Sequence, residues 1–437
     1  MHSTRRVFIG SLSGLVGTSA LTAPRQPAPS LPKARTSPLD GIPRQRIRIT
    51  DIKVTNLAYR LKPEEQWPDG DNNVIIVKTE SVIVEVSTDA GITGIGGCSR
   101  YNGPLQMAQY AENVVKPHLL GKNPFDVESL CGGISGHGAR GVWAGVDTAL
   151  WDIIGKARGV SLYKLLAIDT EPQTRVRVYA SGGEFTWRKN SRLPGPEDLL
   201  KEAVRHKQNG YTAFKFRMGG GFGKLGITMK EYIPYLQRMR EAVGPGFDLI
   251  QEANTRWSVE QCLEICPVLE ELKFLWFEEP TRKNIDDYLR IKQSLRTVRI
   301  SGGEGMANRG EIMEWVDRGA YDIIQPGCDD AGVTETWHIA RMAHTRGKLF
   351  CPHNWQDGLI AIANAHVMAS VPNRFLLESN MTPNPLKEGL FKERLAVQKG
   401  HLDIPDRPGL GVELKEGLAE QYPYLPGPWY TPDPEMP

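Results

Sequence analysis

Cysteine is scarce in this sequence of 437 residues, which has only six cysteines and no Cys-x-x-Cys pair. Scattered cysteines of this kind are typical of packing residues, so we expect a fold that does not depend on disulfide bonds. Long apolar runs are absent from the interior of the chain, and none there could cross a lipid bilayer. The composition therefore gives no indication of an integral membrane protein.

Net charge is also low, because 53 basic residues oppose 51 acidic ones. Five of the basic residues precede the first acidic residue, Asp40, so the chain after residue 39 has 48 basic and 51 acidic residues, a net charge of −3. A nearly neutral body offers no electrostatic reason to expect nucleic acid as a partner.

Residues 1–25 are similar to a twin-arginine signal peptide. Arg5 and Arg6 precede a weakly apolar stretch that ends at about Leu21, although a disordered basic tail is the alternative interpretation. Residues 26–43, rich in proline and serine, are interpreted as a linker. We expect a periplasmic protein without stable membrane insertion after signal removal, or a cytoplasmic protein if the signal does not function.

Residues 44–170 change from a strand pattern to a helical pattern. Val82, Val84 and Val86 alternate with polar neighbours, as in a half-buried strand. Residues 106–166 place apolar side chains at helical spacing. Strands followed by helices predict a compact α+β domain, and the chain is long enough for a larger domain beside it.

Residues 171–398 alternate short apolar strands with amphipathic helices. Eight strands are predicted, starting near Arg175, Thr212, Phe247, Phe274, Val298, Tyr321, Leu349 and Phe375. Eight such units in roughly 200 residues favour a closed (β/α)8 barrel over an open doubly wound sheet. No glycine-rich dinucleotide fingerprint follows the first strand, which argues against a nicotinamide oxidoreductase. The glycine-rich residues 219–223 are interpreted as a flexible active-site loop, and residues 399–437 are expected to return to the α+β domain.

Three predicted barrel strands end in a glutamate. Glu252, Glu278 and Glu304 are 26 residues apart in both steps, about the length of one βα unit, so each is expected at the C-terminal end of its own strand. Neighbouring strands ~4.8 Å apart allow the three side chains to converge. Like charges so close require a cation, and hard oxygen ligands suit Mg²⁺. Three unrelated solvent-facing acids are the alternative.

Cationic and histidine side chains are expected at the same end of the barrel. Lys215 and Arg217 are two residues apart on one strand, so their side chains share a face. Pointing inward beside a metal, they would attract a substrate carboxylate and stabilise the enediolate formed when its α-proton leaves. A pair of outer-surface charges is the alternative. His353 is the only one of nine histidines that ends a predicted barrel strand, a place suited to a general acid or base.

Together these motifs resemble the mandelate racemase and muconate lactonizing enzyme branch of the enolase superfamily, over about residues 46–420. The resemblance rests on the following motifs: Asp147-Thr148-Ala149-Leu150-Trp151-Asp152 with Gly155-Lys156, Lys215-Phe216-Arg217, Glu252-Ala253-Asn254, Glu278-Glu279-Pro280, Gly303-Glu304, His353, and Pro405-Asp406 with Pro408-Gly409-Leu410-Gly411. It implies an N-terminal capping domain that closes over the barrel mouth and selects the substrate, and assembly as a homo-oligomer.

The resemblance also implies roles for individual side chains. Mg²⁺ would be held by Glu252, Glu278 and Glu304, because enzymes of this superfamily use a Lys or His base beside Mg²⁺. Lys215 would orient the substrate carboxylate, and His353 would act on one face of the α-carbon. Glu378, which ends the eighth strand, would hydrogen-bond the developing enediolate.

Three positions depart from the family pattern. Glu252 stands where the family usually has aspartate. Arg217 replaces the second lysine of the usual Lys-x-Lys pair and does not readily lose its proton, which disfavours a racemase with two bases. Gly327 stands where the carboxylate that orients the histidine is usual. Asp329 or Asp330 is expected to substitute, and we prefer Asp329.

With one base, loss of a β-hydroxyl is the expected outcome of proton abstraction. We therefore expect a hydro-lyase that dehydrates a sugar acid or related hydroxy acid. A racemase, epimerase or cycloisomerase of the same branch is the alternative among enzymes. A catalytically silent, exported acid-sugar-binding protein is the alternative from another class.

Overall fold

The computed structural model describes residues 35–69, 74–99, 103–132, 140–185, 194–217 and 227–433. From Pro38 onward the chain forms one compact unit. The proposed signal peptide, the first part of the linker (26–34) and the glycine-rich segment 219–223 lie outside the described residues. No helix in the described part is long and apolar enough to cross a membrane. The six cysteines are all buried and unpaired, in agreement with a packing role.

The N-terminal half combines an antiparallel sheet with helices. Its strands are β1 (Ile49–Arg60), β2 (Trp67–Asp69), β3 (Val74–Ile76), β4 (Lys78–Thr88) and β5 (Thr93–Cys98). Its helices are α1 (Pro104–Tyr110), a π-helical continuation (Ala111–Val115), α2 (Lys116–Leu119), α3 (Val127–Cys131), α4 (Arg140–Arg158) and α5 (Leu162–Leu166). The main sheet has the order β1-β4-β5, and all its pairings are antiparallel.

Strand β4 is covered more fully than its alternating sequence predicts. Residues 78–84 are all buried, whichever face they occupy. Helix α4 packs closely on the neighbouring strand, since a Cβ at Gly96 would overlap the carbonyl oxygen of Gly145. From the barrel side, the hydroxyl of Ser81 donates a hydrogen bond to the carboxylate of Asp357. The central strand is therefore enclosed between a helix of its own domain and the barrel.

Residues 175–380 form the expected barrel. Its elements in chain order are β6 (Arg175–Ser181), α6 (Pro196–Gln208), β7 (Ala213–Arg217), α7 (Met229–Val243), β8 (Asp248–Glu252), α8 (Val259–Glu271), β9 (Trp276–Glu278), α9 (Ile285–Lys292), β10 (Arg299–Gly302), α10 (Arg309–Asp317), β11 (Ile323–Ile324), α11 (Gly332–His344), β12 (Leu349–Phe350), α12 (Gly358–Ala369) and β13 (Leu377–Asn380). Parallel pairing runs from β13 through β6 to β12. Phe375 N–H donates to the Phe350 carbonyl at 2.9 Å, which closes the ring. The fold class is confirmed, and each strand begins within two residues of its predicted start.

The barrel interior is filled from the bottom by an apolar layer. Its fully or nearly buried members are Tyr179, Ala213, Ile250, Trp276, Ile323, Cys351 and Leu376. Inward-facing side chains recur every second residue along a strand. The next inward positions on β7, β8 and β9 are therefore Lys215, Glu252 and Glu278, each two residues beyond an apolar residue of this layer. The fold thus places a charged layer on an apolar floor, at the C-terminal ends of the strands.

The last part of the chain runs back along both domains. It contains α13 (Pro385–Glu388), β14 (Val397–Gln398), β15 (His401–Asp403), α14 (Leu418–Gln421) and β16 (Tyr430–Pro432). Strand β15 pairs antiparallel with β6 of the barrel, and β16 pairs antiparallel with β3.

Asp152 on α4 joins three segments of this arrangement. Its carboxylate accepts hydrogen bonds from the backbone N–H of Ile95 at 3.0 Å and of Leu410 at 2.8 Å, and it pairs with Lys156 at 2.6 Å. Gly409 has a φ of 69°, and a Cβ there would overlap the Asp152 carboxylate. This part of the family motif is therefore structural, because it fastens the C-terminal segment to the capping domain.

Candidate active site

The three equally spaced glutamates converge at the barrel mouth. One carboxylate oxygen of each lies within 4.8 Å of one oxygen of both others. Glu252 and Glu278 are fully buried, whereas the Glu304 side chain is 25% exposed. Three carboxylates at this spacing form a donor set of hard oxygens that a single divalent cation can bridge. The residues present therefore fit a metal ion.

Lys215 lies among the buried carboxylates. Its ammonium nitrogen is 3.0 Å from Glu252 Oε2 and 2.9 Å from Glu378 Oε1, and it hydrogen-bonds Glu278. Burial by itself lowers the pKa of Lys215, but Glu278, Glu378 and Glu252 outweigh it and raise that pKa well above the ordinary lysine value. The three carboxylates therefore favour the protonated, cationic form of Lys215.

Glu278 carries the opposite perturbation. Burial raises the pKa of Glu278 well above its usual range, and the neighbouring carboxylate of Glu252 adds to the effect. Its second oxygen accepts a hydrogen bond from the indole N–H of Trp276 at 2.9 Å. Adding positive charge beside this carboxylate stabilises its ionised form, as expected for a metal ligand.

Glu378 is held by three hydrogen-bond donors. The hydroxyl of Ser181 donates to Oε1 at 2.6 Å, and the backbone N–H of Asn354 donates to Oε2 at 2.7 Å; the third donor is the Lys215 ammonium. Burial acts to raise the pKa of Glu378, but Lys215 above all lowers it, to about 2. Glu378 is therefore a fixed anion on the inner wall, beside Lys215.

His353 lies between two carboxylates. Its Nε2 is 3.6 Å from Glu304 Oε2, and its Nδ1 is 3.7 Å from Asp329 Oδ2. Burial tends to lower the pKa of His353, but Glu304 and Asp329 outweigh it and raise that pKa well above the ordinary histidine value. The geometry joins the histidine to the glutamate cluster on one side and to a buried aspartate on the other.

Gly327 explains how Asp329 reaches His353. A Cβ at position 327 would overlap the Asp329 carboxylate and stand 2.7 Å from the carbonyl oxygen of His353. The missing side chain therefore leaves the space that Asp329 occupies, and Asp329 is 2% exposed. Of the two candidate aspartates, the structure places Asp329 at the histidine. The departure at Gly327 is thus compensated two residues later.

Arg217 takes part in a buried ion pair at the mouth. Its guanidinium hydrogen-bonds Glu184 and lies 4.6 Å from the ring centroid of Trp355. Strand pairing aligns Arg217 with Glu252, so the inward face expected for Lys215 and Arg217 is observed. The alternative of two outer-surface charges is wrong, because the two residues are 1% and 8% exposed.

Four residues of this site were not predicted from the sequence. They are Ser181, Glu184, Asn354 and Trp355. Ser181 ends the first barrel strand, a position that points to the mouth in any such barrel. The other three lie in loops that follow strands, where side-chain direction has no periodic signal.

Comparison with known proteins agrees with the fold class. The chain matches the "Enolase C-terminal domain-like" family over residues 198–418 and the "Mandelate racemase / muconate lactonizing enzyme, N-terminal domain" family over residues 73–167. Among curated proteins, arabinonate dehydratase of Saccharolobus solfataricus is 31% identical over 385 residues, which cover 86% of this chain and 99% of that protein. D-galactarolactone cycloisomerase of Agrobacterium fabrum is 28% identical, covering 86% of this chain and 98% of that protein.

Solved structures give the same assignment. A member of the enolase superfamily from Polaromonas sp. JS666 superposes with a TM-score of 0.75 at 29% identity, covering 87% of this chain and 99% of that one. The family matches together span both domains and include every residue of the glutamate cluster. The chain therefore belongs to the enolase superfamily, in its mandelate racemase and muconate lactonizing enzyme branch.

Proposed function

We propose that this protein is a Mg²⁺-dependent sugar-acid dehydratase. The proposal rests on the difference between the two sides of the barrel mouth. On one side His353 lies between Asp329 and the glutamate cluster. On the other side Arg217, paired with Glu184, occupies the position of a second base. A site with one base favours elimination over inversion at the α-carbon. Relatives named as sugar-acid dehydratases, such as arabinonate dehydratase and L-talarate/galactarate dehydratase, support the same chemistry.

Lys215 provides the binding charge for the substrate carboxylate. It is a buried ammonium beside Glu252 and Glu278. An anion that enters this layer gains a charge-assisted interaction away from water, where such interactions are strong. When bound, Mg²⁺ on the three glutamates would stabilise the negative charge that develops on the substrate carboxylate and would offset the pull of Glu304 on the His353 proton.

His353 carries the proton in both steps. Its neutral ring takes the α-proton, the Cα–H electrons form the enediolate, and the Cβ–O bond then breaks. His353 returns the proton to the departing hydroxide, so water leaves and the resulting enol tautomerises to a 2-keto-3-deoxy acid. Asp329 keeps the imidazole oriented and stabilises its charged form between these steps. Glu378, which accepts hydrogen bonds from Ser181 and Asn354, would hold the Lys215 ammonium beside the oxygens on which the enediolate charge develops.

A mass-spectrometric screen in D2O tests the proposal. Purified protein with Mg²⁺ is offered a library of sugar mono- and diacids, and release of a 2-keto acid is measured together with deuterium uptake at the α-carbon. We expect at least one acid to lose water, and we expect the H353N variant to release no keto acid. Absence of keto-acid release from every acid would refute the dehydratase assignment.

A cycloisomerase or epimerase is the second candidate. The relative named D-galactarolactone cycloisomerase and another named 3,6-anhydro-alpha-L-galactonate cycloisomerase favour it. Both reactions begin with the same proton abstraction and differ in the fate of the enediolate. Deuterium incorporation without keto-acid release in the same screen would identify this outcome.

We further propose that the chain is exported to the periplasm by the twin-arginine route. The support is the sequence around Arg5 and Arg6, because these residues lie outside the described part of the structure. Replacing both arginines by lysine should retain the protein in the cytoplasm, as measured by fractionation and immunoblotting. Equal periplasmic amounts of the parent and the variant would contradict this proposal.

A further inference from the structure

A cavity of about 430 Å³ lies on the outer side of the barrel wall. Val178 on β6 and Leu377 on β13 line it, and these residues alternate with Tyr179 and Leu376, which face the barrel interior. The cavity is therefore separated from the catalytic mouth by the strands themselves. Its volume is within the range of small-molecule binding sites.

The cavity lies where the barrel lacks a full covering helix. Each of the first seven barrel strands, β6 to β12, is followed by a helix of at least eight residues. Strand β13 is followed only by the four residues of α13. The space beside the outer face of β13 is bounded instead by α12 and by the segment after α13.

Apolar side chains make up much of the cavity wall. They include Ile362 on α12, Leu377 on β13, and Leu395, Val397 and Leu402 from the segment after α13. Contact with such a wall favours a ligand with an apolar body, because apolar surface is removed from water on both sides.

The positive charge at the cavity comes from Lys387. Its ammonium donates a hydrogen bond to the carbonyl oxygen of Asn380 at 2.7 Å, and no carboxylate in the described part of the chain lies within ion-pair distance of it. An ammonium has three N–H groups, so donors remain for a ligand. Burial lowers the pKa of Lys387, and the nearby charge of Glu388 does not fully offset this effect.

The other charged residues of the described cavity wall already have partners. Arg394 and Glu388 form a hydrogen bond at 2.7 Å, and their side chains are 72% and 41% exposed. The carboxylate of Glu378 pairs with Lys215 inside the barrel. Lys387 is therefore the charge that a ligand can neutralise, and the cavity fits a ligand with a single negative charge.

The backbone that carries Lys387 is closely packed. A Cβ at Gly358, the first residue of α12, would stand 2.2 Å from the carbonyl oxygen of Lys387. The side chain of Asn384 accepts a hydrogen bond from the backbone N–H of Leu386 at 3.1 Å and so caps α13. The turn that presents the ammonium is thus formed before a ligand binds, which lowers the entropy cost of binding.

We propose that this cavity is a binding site for a small organic monocarboxylate with an apolar body. The carboxylate pairs with the ammonium of Lys387, and the body lies against Ile362 and Leu377. The pairing is favourable because charge-assisted hydrogen bonds are stronger than neutral ones and gain further strength away from bulk water. The site is separate from the barrel mouth, so its occupation does not depend on the proposed dehydration.

Calorimetry on the full chain tests the site with hexanoate and benzoate as probes. Hexanamide and benzamide keep the shape of each probe and remove its charge. K387M removes the ammonium, whereas A361F reduces the cavity volume without changing a charged group, because Ala361 lines the cavity. K201M is the matched control, since the Lys201 side chain on α6 is 76% exposed. Thermal unfolding shows whether each variant is folded.

The parent protein is expected to bind each acid about tenfold more tightly than its amide, the effect of one charge-assisted hydrogen bond. K387M should weaken binding of the acids by about tenfold and leave the amides within about threefold of the parent. A361F should weaken acids and amides alike, and K201M should match the parent.

The proposal is overturned if the parent binds neither acid, or if the amides bind as tightly as the acids. It is also overturned if folded K387M binds the acids with unchanged affinity, which is the result expected for carboxylates bound at Lys215 in the mouth. Equal weakening by K387M and K201M would likewise overturn it. If K387M does not fold, unchanged binding of the acids by folded A361F decides against the cavity.

Discussion

Replacing Gly327 by alanine should disable His353 without removing any functional group. The new Cβ would overlap the Asp329 carboxylate and stand 2.7 Å from the His353 carbonyl oxygen, so both residues must move. A displacement of about 1 Å of a catalytic group costs roughly 100-fold in rate. We therefore expect kcat of G327A to fall about 100-fold, and overpacking to cost about 1–3 kcal/mol of stability.

The assay is steady-state dehydration, or α-proton exchange in D2O, at a temperature well below the unfolding transition of the variant. G246A is the matched control, because a Cβ at the exposed Gly246 meets no atom within 4 Å. D329N should lower kcat in the same direction, since it removes the carboxylate that orients His353. A G327A protein that keeps kcat close to that of the parent would refute the argument that Gly327 makes room for Asp329.

Three further predictions concern stability. In the parent protein the buried carboxylate of Glu80 lies 2.7 Å from the Lys78 ammonium, and K78M removes this cation. We expect K78M to lower the free energy of unfolding in urea by about 3–5 kcal/mol. A decrease below about 1 kcal/mol would contradict the pairing. G409A should lower the unfolding temperature markedly, because Gly409 has a φ of 69° and a Cβ there would overlap the Asp152 carboxylate. An unchanged unfolding temperature would show that the C-terminal segment is not held at this point. Burial raises the pKa of Asp147 from 3.8 to about 7, so the parent protein loses stability as pH rises between these two values. The stability of D147N relative to the parent should therefore increase by about 3 kcal/mol between about pH 5 and pH 8, and a pH-independent difference would contradict the raised pKa.

Regular features of the sequence predicted the barrel and its cluster of three glutamates. Strand and helix periods marked all eight βα units, and equal spacing indicated the ends of three strands. Glu252 and Glu278 end β8 and β9, and Glu304 lies two residues beyond the end of β10. These signals are local, because each depends on alternation within one unit and on the length of that unit. The same alternation placed Lys215 on the inner face.

Contacts between residues that are far apart in the sequence could not be predicted from these local patterns. Glu184 follows a glycine turn, where no period indicates the direction of its side chain, and its partner is 33 residues away. The choice between Asp329 and Asp330 depends on the backbone path around Gly327. The hydrogen bond from Thr334 to Asp147, 187 residues apart, joins two domains that were predicted separately. Such pairs depend on tertiary packing and not on local propensity.

Binding of a divalent cation by Glu252, Glu278 and Glu304 is the claim on which the mechanism depends. Calorimetric titration of the metal-free protein with Mg²⁺ measures it directly, beside the E278Q variant and with thermal unfolding as a check that both are folded. We predict one site per chain in the parent protein and loss of that site in E278Q. A folded parent that takes up no Mg²⁺, or an E278Q variant that binds it with unchanged affinity, would contradict the account.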